Sequence, residues 1–164
     1  MCRACKITTI DDSVDVLLSS AKLEEAVILE KKRVIQSDNY KAENNILALI
    51  NAERRSVAVA PLSSDKSLKD LAYDYVNKII ASSRFSHLDN NNNTPADRAR
   101  SAGIIYTYIG ENLAIASNVN EAHLALMESV SHRENILSAK FKKVGVSILS
   151  IENDGIILVE EFTD

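Results

Sequence analysis

The 164-residue chain has no tryptophan and is poor in glycine (4), proline (2), cysteine (2), phenylalanine (3) and tyrosine (5). So few glycines and prolines exclude a flexible Gly/Pro-rich chain and favour a helix-rich one. So few aromatic rings weaken any stacking platform for bases. The formal net charge of -4 leaves no overall basic field to attract nucleic acid or an anionic bilayer, a local patch aside, and nucleic acid is not an expected partner. No apolar run reaches about 18 residues, and no membrane span is expected. Residues 1–15 carry scattered charges and lack a long apolar stretch, which is unlike a signal peptide. Cys2 and Cys5 form a C-x-x-C pair, but no second Cys or His pair accompanies them and no strand precedes them. They read as a reactive or incidental pair near a flexible end rather than a zinc or redox site, and the folded core is expected to hold no disulfide.

Hydrophobic residues at 46% and charged residues at 26% are ordinary for a globular protein, and the length suits one domain with an appendage. Residues 17–36 look helical, and Ser37-Asp38-Asn39 reads as a turn or linker. These readings divide the chain into an N-terminal extension with a helix, residues 1–40, and a main domain, residues 41–164. From Glu43 an apolar stripe of Ile46, Leu47, Leu49 and Ile50 runs to Arg54-Arg55, a basic pair suited to a helix C-terminus. Ser64 or Asp65 can cap the next helix, whose stripe is Leu68, Leu71, Ala72, Tyr75, Val76, Ile79 and Ile80. An asparagine-rich loop follows, and Thr94-Pro95-Ala96-Asp97 reads as N-cap, proline at N1 and an acid at N3. Residues 104–108 look extended. Asn118 opens another helix through about Ser129, and Ser131…Glu134 resembles a second capping box, before a short helix ending near Ala139. Residues 144–150 and 156–162 are β-rich and joined by an Asp-Gly hairpin signal. The sum is an α+β fold of four or five helices around a small antiparallel sheet.

Three polar segments stand out: Phe85-Ser86-His87, Gly110-Glu111-Asn112-Leu113, and Ser131-His132-Arg133-Glu134-Asn135-Ile136-Leu137. His87 can accept a proton or ligate a metal through one nitrogen while a neighbour orients the other. Glu111 follows Gly110, which permits a tight turn, and can orient a histidine, bind a cation or act as base. Asn112 reads as tying down that turn. His132 falls at the first helical position inside the Ser131…Glu134 box, where the positive helix end disfavours protonation. Arg133 reads as structural and His123 as an ordinary helix histidine. Two histidines and one carboxylate, His87, His132 and Glu111, make a minimal shell for zinc or another divalent cation with water in the fourth position. No H-E-x-x-H or G-x-S-x-G motif marks an enzyme.

From Glu43 to Phe162 the chain resembles the CAP superfamily, the SCP or PR-1-like domain, and is most like its bacterial cysteine-free branch. The likeness is carried by Ile50-Asn51-Ala52-Glu53-Arg54-Arg55, Phe85-Ser86-His87, Thr94-Pro95-Ala96-Asp97-Arg98, Gly110-Glu111-Asn112-Leu113-Ala114, Ser129 to Leu137, and Phe141 through Val144-Gly145-Val146 to a last strand ending in Phe162. It departs from the family pattern at Leu126, where a tryptophan is usual, and at Ser129-Val130-Ser131-His132, which lacks the usual Pro and Gly. The resemblance implies a three-layer α-β-α sandwich with a cleft of two histidines and one or two acids. His87, Glu111 and His132 match the cleft positions, and Glu128 is the candidate second acid. It further implies a binding or interaction module of the cell envelope or extracellular space, with a small hydrophobic ligand, a peptide or a cell-envelope component as partner. Two other readings stay open: a metal-assisted hydrolase of peptide or cell-wall material with Glu111 or Glu128 as base, and a structural domain with a vestigial cleft. A cytoplasmic location also stays open.

Overall fold

The structure is a computed structural model, and it describes residues 12–151 and 155–164. Cys2 and Cys5, and the Asp154 half of the hairpin signal, lie outside the described residues. The chain divides into two compact units, residues 1–38 and 39–164. Helix α1 (Asp12–Ser56) runs through Ser37, Asp38 and Asn39, where the sequence suggested a turn. Among the described residues no helix is long and apolar enough to cross a membrane.

In the second unit α1 is followed by β1 (Ser63–Ser64), α2 (Lys66–Ser82), α3 (Pro95–Ser101), β2 (Ile109–Ala116), α4 (Val119–Glu128), α5 (Val130–Leu137), β3 (Lys143–Ile151) and β4 (Gly155–Thr163). Local chemistry sets the helix starts. The Asp65 carboxylate accepts from the Ser67 and Leu68 amides, and Asn118 accepts from the Glu121 amide. Thr94 and Asp97 close a reciprocal capping box with Pro95 at the first position of α3. The predicted stripe of α2 is buried except Ile80, which is exposed.

The sheet order is β1-β3-β4-β2. β4 pairs antiparallel with β2 and β3, while β1 adds a two-residue parallel pair to β3, so the sheet is mixed rather than wholly antiparallel. Alternation along β4 divides the core. Leu158 and Phe162 join Ile46, Ile50, Leu126, Ile136 and Phe141 from α1, α4, α5 and the segment after α5. Ile157 and Val159 join Ala72, Tyr75, Val76 and Ile79 of α2. Helices therefore cover both faces, giving the α-β-α sandwich. Arg54 is buried rather than left at a solvated helix end. Its guanidinium donates to the carbonyls of Ala60, Ile136, Ser138 and Phe141 at 2.7–3.1 Å, tying the end of α1 to the end of α5.

Candidate functional site

Gly110, Glu111 and Asn112 are strand residues, not the turn that the sequence suggested. In β2 they pair with Phe162, Glu161 and Glu160 of β4. The need for glycine at 110 is steric: a Cβ there would come within 2.9 Å of Asn135 Oδ1 and of the Phe141 ring. Alternation sends Glu111 and Glu161 toward α2 and α3, and Asn112 and Glu160 toward α5.

Glu111 is the hub. Its side chain is 1% exposed, against 50% for His87, whose Nδ1 lies 2.7 Å from Glu111 Oε1. Glu111 Oε2 accepts from Arg98 Nη2. Both carboxylate oxygens are thus engaged, and His87 Nε2 is the free nitrogen of a half-exposed ring. Arg98 Nη1 also donates to the carbonyls of His87 and Asn93, at 2.9 and 3.1 Å, fixing both ends of the intervening loop. The guanidinium lies 3.4 Å from the centre of the Tyr75 ring, and the Tyr75 hydroxyl donates to the Ser86 carbonyl. Sequence reasoning missed Arg98, Tyr75, Glu160 and Glu161. The capping box four residues before Arg98 and the inward parity of Glu161 with Ile157 and Val159 were the available signals.

Glu161 Oε1 is 3.8 Å from Arg98 Nη2. Burial first, and then the charge of Glu111, push the Glu161 carboxyl well above the usual range. Glu160 is fully buried, and burial raises its carboxyl to about 7 against the lowering pull of Asn112. Asn112 Nδ2 donates to Glu160 Oε2 at 3.0 Å and to the His132 carbonyl at 3.2 Å. Asn135 Nδ2 donates to Asn112 Oδ1 at 2.9 Å and to the Glu111 carbonyl. This amide network seats α5 on the sheet.

His132 sits third in α5, not first, because the helix begins at Val130 with Ser129 as N-cap. Ser131 is the second residue of the helix and not its N-cap, so the Ser131…Glu134 box is not formed, and Ser129 makes no side-chain capping bond. Burial, then the neighbouring His87, lower the His132 pKa and so favour the neutral ring. The two rings lie 6.3 Å apart, centre to centre, tilted by 39°. They face a cleft of about 350 Å³ whose other walls include Thr94, Pro95, Ala96 and Ile109. Glu128 is exposed at the last position of α4 and does not line the cleft. Arg133 donates to the Met127 carbonyl at 3.0 Å, a structural bond. His123 is buried 4.0 Å from Glu53, with no hydrogen bond to either ring nitrogen among the described residues. Among the described residues no three His, Cys, Asp or Glu side chains converge to hold a metal ion. His87, Glu111 and His132 therefore meet as two rings and an orienting acid.

The profile of the CAP family, the cysteine-rich secretory protein family, matches residues 47–162. The uncharacterized protein YkwD of Bacillus subtilis is 31% identical over 121 residues, 73% of this chain and 46% of its own length. The chain thus spans about half of that relative. Among solved structures, an extracellular SCP-domain protein of Bacillus anthracis matches with a TM-score of 0.72 and 22% identity, over 79% of this chain and 42% of that one. An outer surface protein of Borrelia burgdorferi matches with a TM-score of 0.71 and 22% identity, over 76% and 92%. The structure of NaASP2 with Zn2+ is more distant, with a TM-score of 0.54 and 16% identity over 74% and 78%. At these identities the solved structures speak to the fold.

Proposed function

The chain belongs to the CAP family, and on that premise we propose that its cleft is a binding site in which His87 and His132 hold a divalent cation of the zinc class. The cation in turn fixes a peptide or cell-envelope ligand, and the protein works at the cell envelope or outside the cell. The observation that carries this reading is the complete engagement of Glu111 by His87 and Arg98. That engagement makes Glu111 the orienter of His87 rather than a ligand, and it presents Nε2 as a lone-pair donor. His132, whose neutral form is favoured by burial, is the second donor. Two imidazoles on one tetrahedral zinc ion have their centres roughly 5 Å apart, so His87 and His132, at 6.3 Å, share one ion after closing by about 1 Å. Bound there, the ion supplies Lewis acidity toward a carbonyl or carboxylate oxygen of the ligand. The mixed polar and apolar wall of Thr94, Pro95, Ala96 and Ile109 receives the rest of it. The zinc in the NaASP2 structure supports this choice of ion.

The test is calorimetric titration of zinc into the full chain in a Cys2→Ser/Cys5→Ser background, which removes the competing thiols. One saturable site is expected. His87→Ala/His132→Ala abolishes it, and Glu111→Gln weakens it by about 10–100-fold. Undiminished affinity in a folded double-histidine variant, or no binding in the parent, overturns the proposal.

A further inference from the structure

A second pocket of about 270 Å³ lies between the C-terminal half of α2 and the asparagine loop, and it shares no lining residue with the cleft. Lys78, Arg84, Asn90 and Asn91 line it, with Tyr75 and Asp89 as its buried members. Asp89 is its one carboxylate, and that carboxylate is already satisfied. Oδ1 accepts from the Asn91 and Asn93 amides at 2.9 Å each, and Oδ2 accepts from Asn93 Nδ2 at 3.0 Å.

Among the described residues neither cation is paired with a carboxylate. Arg84 donates through Nη1 to the Asp89 carbonyl at 3.2 Å, which leaves the remaining N–H groups of the guanidinium. On the same helix Lys66 pairs with Asp70 and Lys69 with Glu43. Lys78 makes no such pair among the described residues and only shares the field of Asp89 through space. The pocket therefore sets two cations against one carboxylate that is already hydrogen-bonded, and its chemical complement is an oxyanion. Its volume approaches the roughly 300–1,000 Å³ of small-molecule sites and exceeds the needs of a bare ion. Ala81, Leu88 and Tyr75 add an apolar wall. The site is also pre-organised, because Arg98 holds the His87 and Asn93 carbonyls and Tyr75 holds that of Ser86.

We propose that this pocket binds a sugar- or polyol-sized group carrying a carboxylate or phosphate. Lys78 and Arg84 pair with the oxyanion, and Asn90 and Asn91 hold its hydroxyls. The probes are glucuronate for a carboxylate, glycerol phosphate for a phosphate, and glucose as the neutral control, each titrated into the 15N-labelled full chain. Saturable shifts of the Arg84, Asn90 and Asn91 amides with glucuronate, glycerol phosphate or both are expected, and the responding arm identifies the oxyanion. Lys78→Glu/Arg84→Glu, at two exposed positions, is expected to weaken binding by at least about tenfold while zinc affinity stays unchanged. Absence of saturable shifts with both anions, an equal response to glucose, or full affinity in the folded double variant overturns the proposal.

Discussion

Glu111, Glu160 and Glu161 occupy neighbouring positions on two paired strands, and their partners decide what each carboxyl can be. Glu111 has a guanidinium and an imidazole. Glu161 faces Glu111 and shares Arg98 with it at 3.8 Å. Glu160 has one amide, from Asn112, and its Oε1 has no partner among the described residues. The fold therefore accepts Glu160 as a neutral acid. With its carboxyl raised from 4.5 to about 7, full stability stands below about 4.5 and is lost as pH rises through about 7. Glu160→Gln keeps the acceptor for Asn112 and cannot ionise. At pH 8 the variant is expected to be more stable than the parent by on the order of 3 kcal/mol, with the gain shrinking to nothing near pH 4.5. Urea unfolding at several pH values checks this, and parallel pH curves for the two proteins would contradict it. Such residues are hard to read from sequence, because Glu and Arg are rarely fully buried and solvent is their default assignment. His87, Glu111 and His132, which meet at one cleft, were legible as a polar set. The acids and the arginine behind them were not.

Helix starts were legible because Asp65, Thr94 and Asn118 each leave a local mark that tertiary packing did not override. β2 was not, since Gly110, Glu111 and Asn112 interrupt its apolar alternation, and Glu111 and Asn112 are buried for reasons supplied by other strands and helices. α5 was misplaced for the opposite reason: a plausible box at Ser131…Glu134 lost to a helix already under way at Val130. Close approach between elements is equally silent in sequence. At Gly145 a Cβ would lie 2.0 Å from the Leu68 carbonyl carbon, so α2 packs onto β3 with no room for a side chain. The obstacle is backbone and cannot rotate away. Gly145→Ala is expected to cost about 3 kcal/mol or more in urea unfolding. Gly110→Ala is expected to cost less, because the obstacles there are the ends of the Asn135 and Phe141 side chains. A cost at 145 no larger than at 110 would mean that α2 can lift from the sheet.

Among the described residues, both core clusters, with the partly buried residues packed on them, take every member from Ala42 onward. The cleft, the amide network and the second pocket also fall within residues 39–164. Residues 39–164 form one compact unit that holds both clusters, and we expect it to fold as a separate chain. The division that the sequence placed at residues 40 and 41 is thereby proposed as a functional one, and it can be tested by truncation. A chain beginning at residue 39 keeps the last part of α1, including Ile46, Ile50 and the Arg54 tie to α5. It is expected to unfold in one cooperative transition, to melt within about 4 °C of the parent, equivalent to roughly 1 kcal/mol, and to keep the zinc affinity that depends on His87 and His132. A non-cooperative melt, or a loss of zinc binding in the folded truncation, would show that the first unit takes part in the sandwich or in its cleft.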